Sequence, residues 1–222
     1  MQNKKRLTFA HRGLFGGNIP ENSLAAFRNA IEAGLDIELD VRLSKDGVPV
    51  VFHDRTLKRM CGDSRAISEL TLAELKKLSL NGTDHRIPAL TEVLELAEGK
   101  AVLLIETKPP KGSIWNRKLE KKLLPLLKDY NGKYMMQSFN RYSVRYMKKR
   151  LNGIKCGILS GSHYPEPESF DFISYKLSDL TENKSRELKE KYPMLFAWSV
   201  LPVDSNELDK AVEEFGLDGV II

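Results

Sequence analysis

The sequence predicts an α/β fold: a closed (β/α)8 TIM barrel with a protruding hairpin after the second strand and a small insertion after that hairpin. Strand and helix patterns alternate along most of the 222 residues. One strand candidate, residues 101–106, is almost wholly apolar, as expected of a parallel strand buried on both faces. The chain contains nine strand candidates. One is the return strand of the hairpin, which must run antiparallel, so eight remain that can run parallel. An open doubly wound sheet is the alternative, because a strand count can err by one or two.

The first half of the chain sets up the start of this barrel. A short strand is predicted at residues 7–11, followed by a glycine-rich loop at 13–18 and a helix at 24–33 for which Asn22 or Ser23 is a suitable N-cap. Gly13, Gly16 and Gly17 do not fit the G-x-G-x-x-G spacing, which argues against a dinucleotide-binding fold. After the hairpin, residues 56–85 mix turns with one helix at 71–78, and another helix ends at Ala97.

The second half is regular. Its strand candidates are residues 101–106, 134–139, 155–160, 171–176, 194–200 and 218–222, and its helix candidates are 116–128, 142–151, 182–191 and 205–215.

Residues 34–54 form the predicted hairpin. Apolar and polar residues alternate along residues 37–43, and Asp46-Gly47 favours a two-residue turn before a return strand at 48–53. With that turn, paired positions place His53 opposite Asp40. Glu38 lies two residues before Asp40 and therefore points from the same face. The hairpin thus predicts two carboxylates and an imidazole within reach of one another.

Polar residues also follow the neighbouring strands, at the end of a barrel where active sites form. They are His11 and Arg12 on the first strand, Glu38 and Asp40 on the second, Glu106 and Lys108 on the third, and His53 from the hairpin. Clustered carboxylates repel one another unless a cation lies between them, and all-oxygen ligands select one hard divalent ion, Mg²⁺ or Ca²⁺. Arg12 and Lys108 would make a phosphate pocket, and two histidines suit general acid–base catalysis. The cluster predicts metal-assisted phosphoester cleavage.

Composition narrows the partners. The net charge is +5, but the basic residues lie along amphipathic helices without a stripe interleaved with aromatic residues, so no nucleic-acid partner is expected. No apolar run approaches the length of about 20 residues that spans a membrane, and no signal-peptide core is recognisable. We therefore expect a cytoplasmic enzyme with a small-molecule substrate and no stable membrane insertion. Cys61 and Cys156 suggest neither a zinc site nor a disulfide framework. No pattern predicts the oligomeric state.

The motifs closely resemble those of the glycerophosphodiester phosphodiesterase family over nearly the whole chain. The matching segments are His11-Arg12-Gly13, Pro20-Glu21-Asn22-Ser23, Glu38-Leu39-Asp40-Val41, Lys45-Asp46-Gly47, Val50-Val51-Phe52-His53-Asp54, Ile105-Glu106-Thr107-Lys108, Gln137-Ser138-Phe139 and Ala197-Trp198-Ser199-Val200. The resemblance implies one barrel domain, residues 1–222, with a small insertion at about 57–87. Ser199 and Leu201 depart from the family pattern, which leaves the substrate contact near Trp198 open.

The resemblance also implies an activity and a role for each site residue. The implied reaction hydrolyses glycerophosphodiesters, such as glycerophosphocholine and glycerophosphoethanolamine, to sn-glycerol 3-phosphate and an alcohol. The implied roles are acid–base catalysis for His11 and His53, metal binding for Glu38, Asp40 and Glu106, phosphate binding for Arg12 and Lys108, and a glycerol contact for Trp198. The implied route passes through attack of the glycerol 2-hydroxyl on phosphorus and a cyclic phosphate.

Two other functions stay open. A non-catalytic phosphate-binding member is one, although the complete set of histidines and carboxylates counts against it. A lysophospholipase D that acts on lipids with one acyl chain is the other. That activity needs an apolar groove, for which the insertion offers a run of leucines. These leucines suit a helix packed on the barrel equally well, and they are Leu70, Leu72, Leu75, Leu78 and Leu80.

Overall fold

Nine strands occur in the part of the chain that the structure describes. The computed structural model describes residues 6–109, 117–161, 169–199 and 205–222. The strands are β1 (Leu7–Ala10), β2 (Asp36–Leu43), β3 (Pro49–Val51), β4 (Leu103–Thr107), β5 (Tyr134–Ser138), β6 (Cys156–Ser160), β7 (Phe172–Lys176), β8 (Leu195–Trp198) and β9 (Gly219–Ile221). All except β3 pair in parallel with their neighbours, and β1 contacts both β2 and β9. The closed eight-stranded barrel predicted from the sequence is confirmed, and the open sheet is excluded.

Most helices cover the outside of the barrel, and the two short ones, Lys58–Cys61 and Leu72–Leu75, belong to the insertion. The helices are α1 (Leu24–Glu32), α2 (Lys58–Cys61), α3 (Leu72–Leu75), α4 (Leu90–Ala97), α5 (Lys118–Lys128), α6 (Arg141–Lys148), α7 (Glu182–Lys191) and α8 (Ser205–Phe215). Asn116, the predicted first residue of the fifth helix, lies outside the described residues. Within the described part of the chain, no helix is both long and apolar enough to cross a membrane.

The helix predicted at residues 71–78 is shorter than expected. Thr71 caps α3, and the helix stops after Leu75 because the amides of Lys77 and Leu78 bond only three residues back, to Glu74 and Leu75. Helix α2, which has four residues and ends at the left-handed Gly62, was not predicted. Helices this short show too little periodicity to detect.

Two apolar layers hold the barrel together. The strand side chains that point outward pack against the helices, as with Leu103 and Ile105 of β4. The side chains that point inward fill the barrel, and they are Phe9, Leu104, Met135, Phe172, Met194, Phe196 and Ile221. Phe172 and Phe196 stack with ring centroids 4.8 Å apart. The inner layer fills the lower barrel, and the inward side chains of Asp40 and Glu106 lie above it.

The insertion after the hairpin has its own core. Its buried residues are Val50, Phe52, Leu57, Met60, Ile67, Leu70, Leu75, Leu80 and Ile87, with Leu72 and Leu78 packed against them. The leucines considered for an acyl-chain groove are therefore used to pack the insertion on β3.

The predicted register of the hairpin is wrong by one residue. Val41 pairs with Val51 and Arg42 with Val50, so Phe52, whose amide bonds to the carbonyl of Asp40, takes the place expected for His53. The loop has three residues rather than two, because a two-residue turn of the expected type needs positive φ at both positions. Among the described residues near this turn only Gly47 has it, with φ of 80°.

Helix α6 and the residues after it do interleave basic with aromatic side chains, unlike the pattern inferred from the sequence. Tyrosines lie among the cations of α6, and the guanidinium of Arg150 stacks on the ring of Tyr146 at 3.7 Å from its centroid. Arg145 lies over Tyr142 at 5.8 Å. These cation–π contacts occupy the faces of both rings within the protein itself.

Gly157 makes room for the inner aromatic stack, and its replacement tests the packing. It pairs with Phe172, and a Cβ atom at Gly157 would lie 2.2 Å from the ring of Phe172. We expect Gly157→Ala to lower the free energy of unfolding by about 1–3 kcal/mol in urea titrations, through overpacking. Gly161→Ala is the control, because a Cβ there meets nothing within 4 Å. Equal stability of the two variants would contradict this account of the inner layer.

Candidate active site

Three buried carboxylates lie at the upper end of the barrel. Glu38 and Asp40 point inward from β2, and the parallel register pairs Asp40 with Glu106 of β4. Their side chains are almost fully buried, and one carboxylate oxygen of each lies within 4.8 Å of the other two. Two neighbouring strands with one shared register are enough to build this cluster, which could hold a metal ion.

Two cations partly balance the carboxylates. The Nζ atom of Lys108 lies 2.6 Å from Oε1 of Glu106 and 3.2 Å from Oδ1 of Asp40. Arg12 adopts a left-handed backbone conformation, with φ of 60°, and its amide donates to Oε2 of Glu38 at 3.0 Å. Its Nε atom lies 3.5 Å from Oδ2 of Asp40. Both cations therefore lie beside the carboxylates that the sequence placed near them.

The electrostatics of the cluster are uneven. Burial and the neighbouring charge of Asp40 raise the pKa of Glu106 to about 7, and burial together with Asp40 and Glu106 raises the pKa of Glu38 well above its usual value. Burial alone would also raise the pKa of Asp40, but Lys108, His53 and Arg12 lower it to about 2. Without a further positive charge, the cluster therefore retains protons near neutral pH.

The loop before α1 fixes one of these carboxylates. Ser23 is the N-cap of α1, and its side chain accepts a hydrogen bond from the amide of Ala26. Asn22 is therefore not needed as the cap and contacts Asp40 instead. Its Nδ2 donates to Oδ2 of Asp40 at 2.9 Å, and its Oδ1 accepts from the amide of Asp40 at 3.3 Å. A left-handed backbone at Asn22, with φ of 54°, allows this contact.

Two histidines lie beside the cluster. His11 follows β1, and burial, helped by the charge of Arg12, lowers its pKa to about 4. His53 follows β3, where the chain bends away from the sheet, and the guanidinium of Arg42 donates two hydrogen bonds to its carbonyl oxygen. Burial lowers the pKa of His53 as well. Nδ1 of His53 lies 2.6 Å from Oδ1 of Asp54, a contact that favours a proton on Nδ1 and leaves Nε2 to act as a base.

These groups surround a cavity of about 240 Å³ with two unlike walls. The polar wall comprises His11, Arg12, Glu38, His53, Glu106 and Lys108, and the opposite wall comprises Gln137, Phe139, Leu159, Trp198 and Ile221. Trp198 is held by a hydrogen bond from Nε1 to the carbonyl of Ser160. Phe139 meets it edge-on with ring centroids 6.0 Å apart and is 55% exposed. A small ligand with one anionic and one less polar part would fit.

The structure thus brings together all eight residues predicted for the site, with Asp40 placed beneath the cavity wall. His85 lies in the insertion, outside the cavity lining, and the remaining histidine, His163, lies outside the described residues. Among the groups not assigned from the sequence are Glu21, Asn22, Asp54 and Phe139. Asp54 could have been predicted as a partner of His53, because the two residues are adjacent in sequence. The contact of Asn22 with Asp40 could not, because no local sequence pattern indicates it.

Comparisons with known proteins agree with this geometry. Residues 11–222 match the model of the glycerophosphoryl diester phosphodiesterase family. A glycerophosphodiester phosphodiesterase of Caldanaerobacter subterraneus subsp. tengcongensis is 37% identical, over 98% of this chain and 93% of that protein.

Solved structures are similar as well. A phosphodiesterase of Oleispira antarctica in complex with the product sn-glycerol-3-phosphate has a TM-score of 0.83 at 26% identity and covers 97% of this chain and 92% of its own. A glycerophosphodiester phosphodiesterase of Thermotoga maritima has a TM-score of 0.74 at 28% identity, covering 98% of this chain and 94% of its own.

Removal of Lys108 tests the charge balance of the cluster. Without added metal at pH 8, we expect Lys108→Met to lower the free energy of unfolding by about 3 kcal/mol, because it leaves buried carboxylates without their cation. The loss should shrink at pH 5, below the pKa of about 7 of Glu106, where the proton replaces the missing charge. Urea titrations at the two pH values measure both quantities.

Two further variants complete this test. Lys108→Met combined with Glu106→Gln should recover part of the stability, since it removes a negative charge together with the positive one. Lys121→Met removes an exposed lysine of α5 and should change stability by less than about 0.5 kcal/mol. A loss for Lys108→Met that is the same at pH 5 and pH 8 would contradict the charge assignment.

Proposed function

Because the chain belongs to the glycerophosphoryl diester phosphodiesterase family, we propose that it hydrolyses glycerophosphodiesters to sn-glycerol 3-phosphate and an alcohol. The observation that carries the proposal is the cavity, where two carboxylates, two cations and two histidines lie opposite a mostly apolar wall, with the third carboxylate, Asp40, grouped with the other two behind the lining. Glycerophosphocholine and glycerophosphoethanolamine are suitable substrates. The bound sn-glycerol-3-phosphate of the Oleispira antarctica phosphodiesterase supports the same product here.

A divalent cation, Mg²⁺ or Ca²⁺, fits the acidic cluster. All potential ligands are oxygens, as hard ions require. Oδ1 of Asp40 is buried, and apart from its ion pair with Lys108 it has no hydrogen bond among the described residues, so it retains capacity to bind an ion. We assign Glu38, Asp40 and Glu106 as the ligands. When bound, such an ion supplies positive charge to phosphate oxygens and increases the acidity of a hydroxyl that contacts it.

The other polar residues would bind the phosphate and move protons. Arg12 and Lys108 flank the cluster and can pair with phosphate oxygens. His11 and His53 have lowered pKa values and are neutral at pH 7, so either can accept a proton.

In the proposed sequence one histidine takes the proton of the glycerol 2-hydroxyl as its oxygen bonds to phosphorus. The other histidine must enter this step protonated, a form that the negative charge of the bound phosphodiester favours, and it donates that proton to the departing alcohol as the bond between phosphorus and the alcohol oxygen breaks. Water then opens the cyclic phosphate with the two roles reversed. Trp198, which lines the apolar wall, would contact the glycerol carbon atoms.

The lysophospholipase D alternative loses its main support. The leucines proposed for its groove are packed in the core of the insertion, where Leu70, Leu75 and Leu80 are about 1% exposed or less. A purely phosphate-binding role leaves the two neutral histidines without a purpose.

We further propose a single domain with an insertion at about 57–87, a cytoplasmic location and a role in glycerol and lipid metabolism. The family match from residue 11 to residue 222 supports the domain assignment.

An assay of glycerol 3-phosphate release tests the proposal. The protein is incubated with glycerophosphocholine and Mg²⁺ or Ca²⁺, with and without EDTA, and the product is followed with a coupled dehydrogenase. We expect turnover that EDTA abolishes, and a loss of at least about 10²-fold in kcat for His11→Ala or His53→Ala, because each removes a proton-transfer group. His85→Ala, outside the cavity, is the control and should retain activity within about twofold.

Each contrary result has a defined meaning. No turnover on any glycerophosphodiester would contradict the proposed reaction and favour the binding role. Equal activity with EDTA would contradict the metal assignment. Faster turnover of lysophosphatidylcholine than of glycerophosphocholine would favour lysophospholipase D.

A further inference from the structure

Arg59, a residue of the insertion, lies between two carboxylates at the edge of the active site. Its Nη1 and Nη2 atoms donate to the two oxygens of Glu21 at 2.9 and 2.7 Å, and its Nε donates to Oδ2 of Asp54 at 2.6 Å. The planar guanidinium thus binds one carboxylate with two nitrogens and the other with the third. Only an arginine can present three donors in this fixed arrangement.

Each of these carboxylates holds a different group of the site. The second oxygen of Asp54 lies 2.6 Å from Nδ1 of His53. Oε1 of Glu21 also accepts a hydrogen bond from Nη1 of Arg12 at 2.9 Å, and the Glu21 side chain is only 10% exposed. A continuous chain of contacts therefore runs from the imidazole of His53 through Arg59 to the guanidinium of Arg12.

We propose that Arg59 is a positioning residue, which orients His53 and Arg12 at once by holding Asp54 and Glu21 in place. This inference rests on the proposed function for its catalytic consequence, though not for its geometry. It also gives the insertion a role at the site: α2, four residues long, delivers one guanidinium to the edge of the cavity.

The charges explain why Arg59 is needed there. Burial would raise the pKa of Asp54 and of Glu21, but hydrogen bonds from Arg59, with further contributions from His53 and Arg12, lower both. Both carboxylates are therefore ionised and would repel each other without the guanidinium between them. A carboxylate released from Arg59 can rotate, and the imidazole or guanidinium that it orients would rotate with it.

A purely structural role for Arg59 predicts that its loss lowers stability and activity together, whereas a positioning role predicts a loss of activity alone. Arg59 is 47% exposed, and ion pairs at that exposure contribute little to folding. Loss of Arg59 should therefore disturb the site far more than it disturbs stability. Arg65 provides a matched control, because it also binds a carboxylate of the insertion, Asp63, with two donors and is 54% exposed, but it has no contact with the site among the described residues.

The first experiment compares Arg59→Met, Arg59→Lys and Arg65→Met by steady-state kinetics on glycerophosphocholine and by urea unfolding. We expect Arg59→Met to lower kcat/KM by about 10²-fold, since small misplacements of reacting groups cost that much. Arg59→Lys keeps the positive charge but loses the planar set of three donors, so its kcat/KM should lie between those of Arg59→Met and wild type. Arg65→Met should stay within about twofold of wild type, and the unfolding midpoints of all three variants should match that of wild type.

A second measurement does not depend on turnover. Nitrogen-15 NMR of the metal-free protein, with the His53 signals assigned through His53→Ala, reports which ring nitrogen carries the proton. We expect the Nδ1–H tautomer in wild type and Arg65→Met, and a mixture of tautomers in Arg59→Met.

The outcomes separate the two proposals. If the wild type turns over substrate and the kcat/KM of Arg59→Met lies within twofold of the wild-type value, the positioning role is overturned. It is also overturned if Arg59→Met loses activity only to the extent that it loses the folded state. An inactive wild type whose His53 tautomer still depends on Arg59 would contradict the proposed function and support the positioning role. An unchanged tautomer in Arg59→Met would overturn the link to His53.

Discussion

The structure of this site depends on three carboxylates buried together with too little positive charge. Burying an ionised carboxylate is costly unless it is paired, and Glu38, Asp40 and Glu106 share only Lys108 and Arg12 among the described cations in direct contact with them. The deficit is visible in the raised pKa values of Glu38 and Glu106. A divalent ion would remove it. The surrounding residues are best understood as the means of keeping this unbalanced cluster in one arrangement.

The barrel supplies that arrangement at several levels. The inner aromatic layer fills the lower barrel, so the inward residues of β2 and β4 meet near the top. The loop after β1 then folds back over them, with left-handed residues at Arg12 and Asn22 that bring a backbone amide to Glu38 and a side-chain amide to Asp40. The hairpin and the insertion complete the site from the outside with His53 and Arg59. Each contribution comes from a different segment, but all converge on one cavity.

Much of this could be predicted from the sequence. The alternation of strands and helices sufficed for the closed barrel, and the two-residue period placed Glu38 with Asp40 and Glu106 with Lys108. The register between strands could not be predicted, because it is fixed by packing of the whole barrel. In the hairpin, this led to an error of one residue, since Asp46-Gly47 favours a two-residue turn locally whereas Ser44 pairs with Val48 and makes the loop one residue longer.

Two other features of the site had no signal in the local sequence. His53 reaches the site because the chain leaves the strand after β3, which no alternation pattern could show. The contacts of Arg59 with Glu21 join residues 38 positions apart and have no local signature. Both depend on how distant segments pack, and only the folded chain reveals them.

The central claim, that the cluster retains protons for want of a cation, can be measured directly. Metal-free protein is titrated with Mg²⁺ at pH 6 in two buffers of different ionisation enthalpy, and the difference in heat gives the number of protons exchanged. Because pH 6 lies below the pKa of about 7 of Glu106, that carboxyl is mostly protonated and must lose its proton to bind the ion. Binding should therefore release at least about one proton per ion, and the affinity should rise with pH. Binding without proton release, with an affinity independent of pH between 6 and 8, would contradict the account.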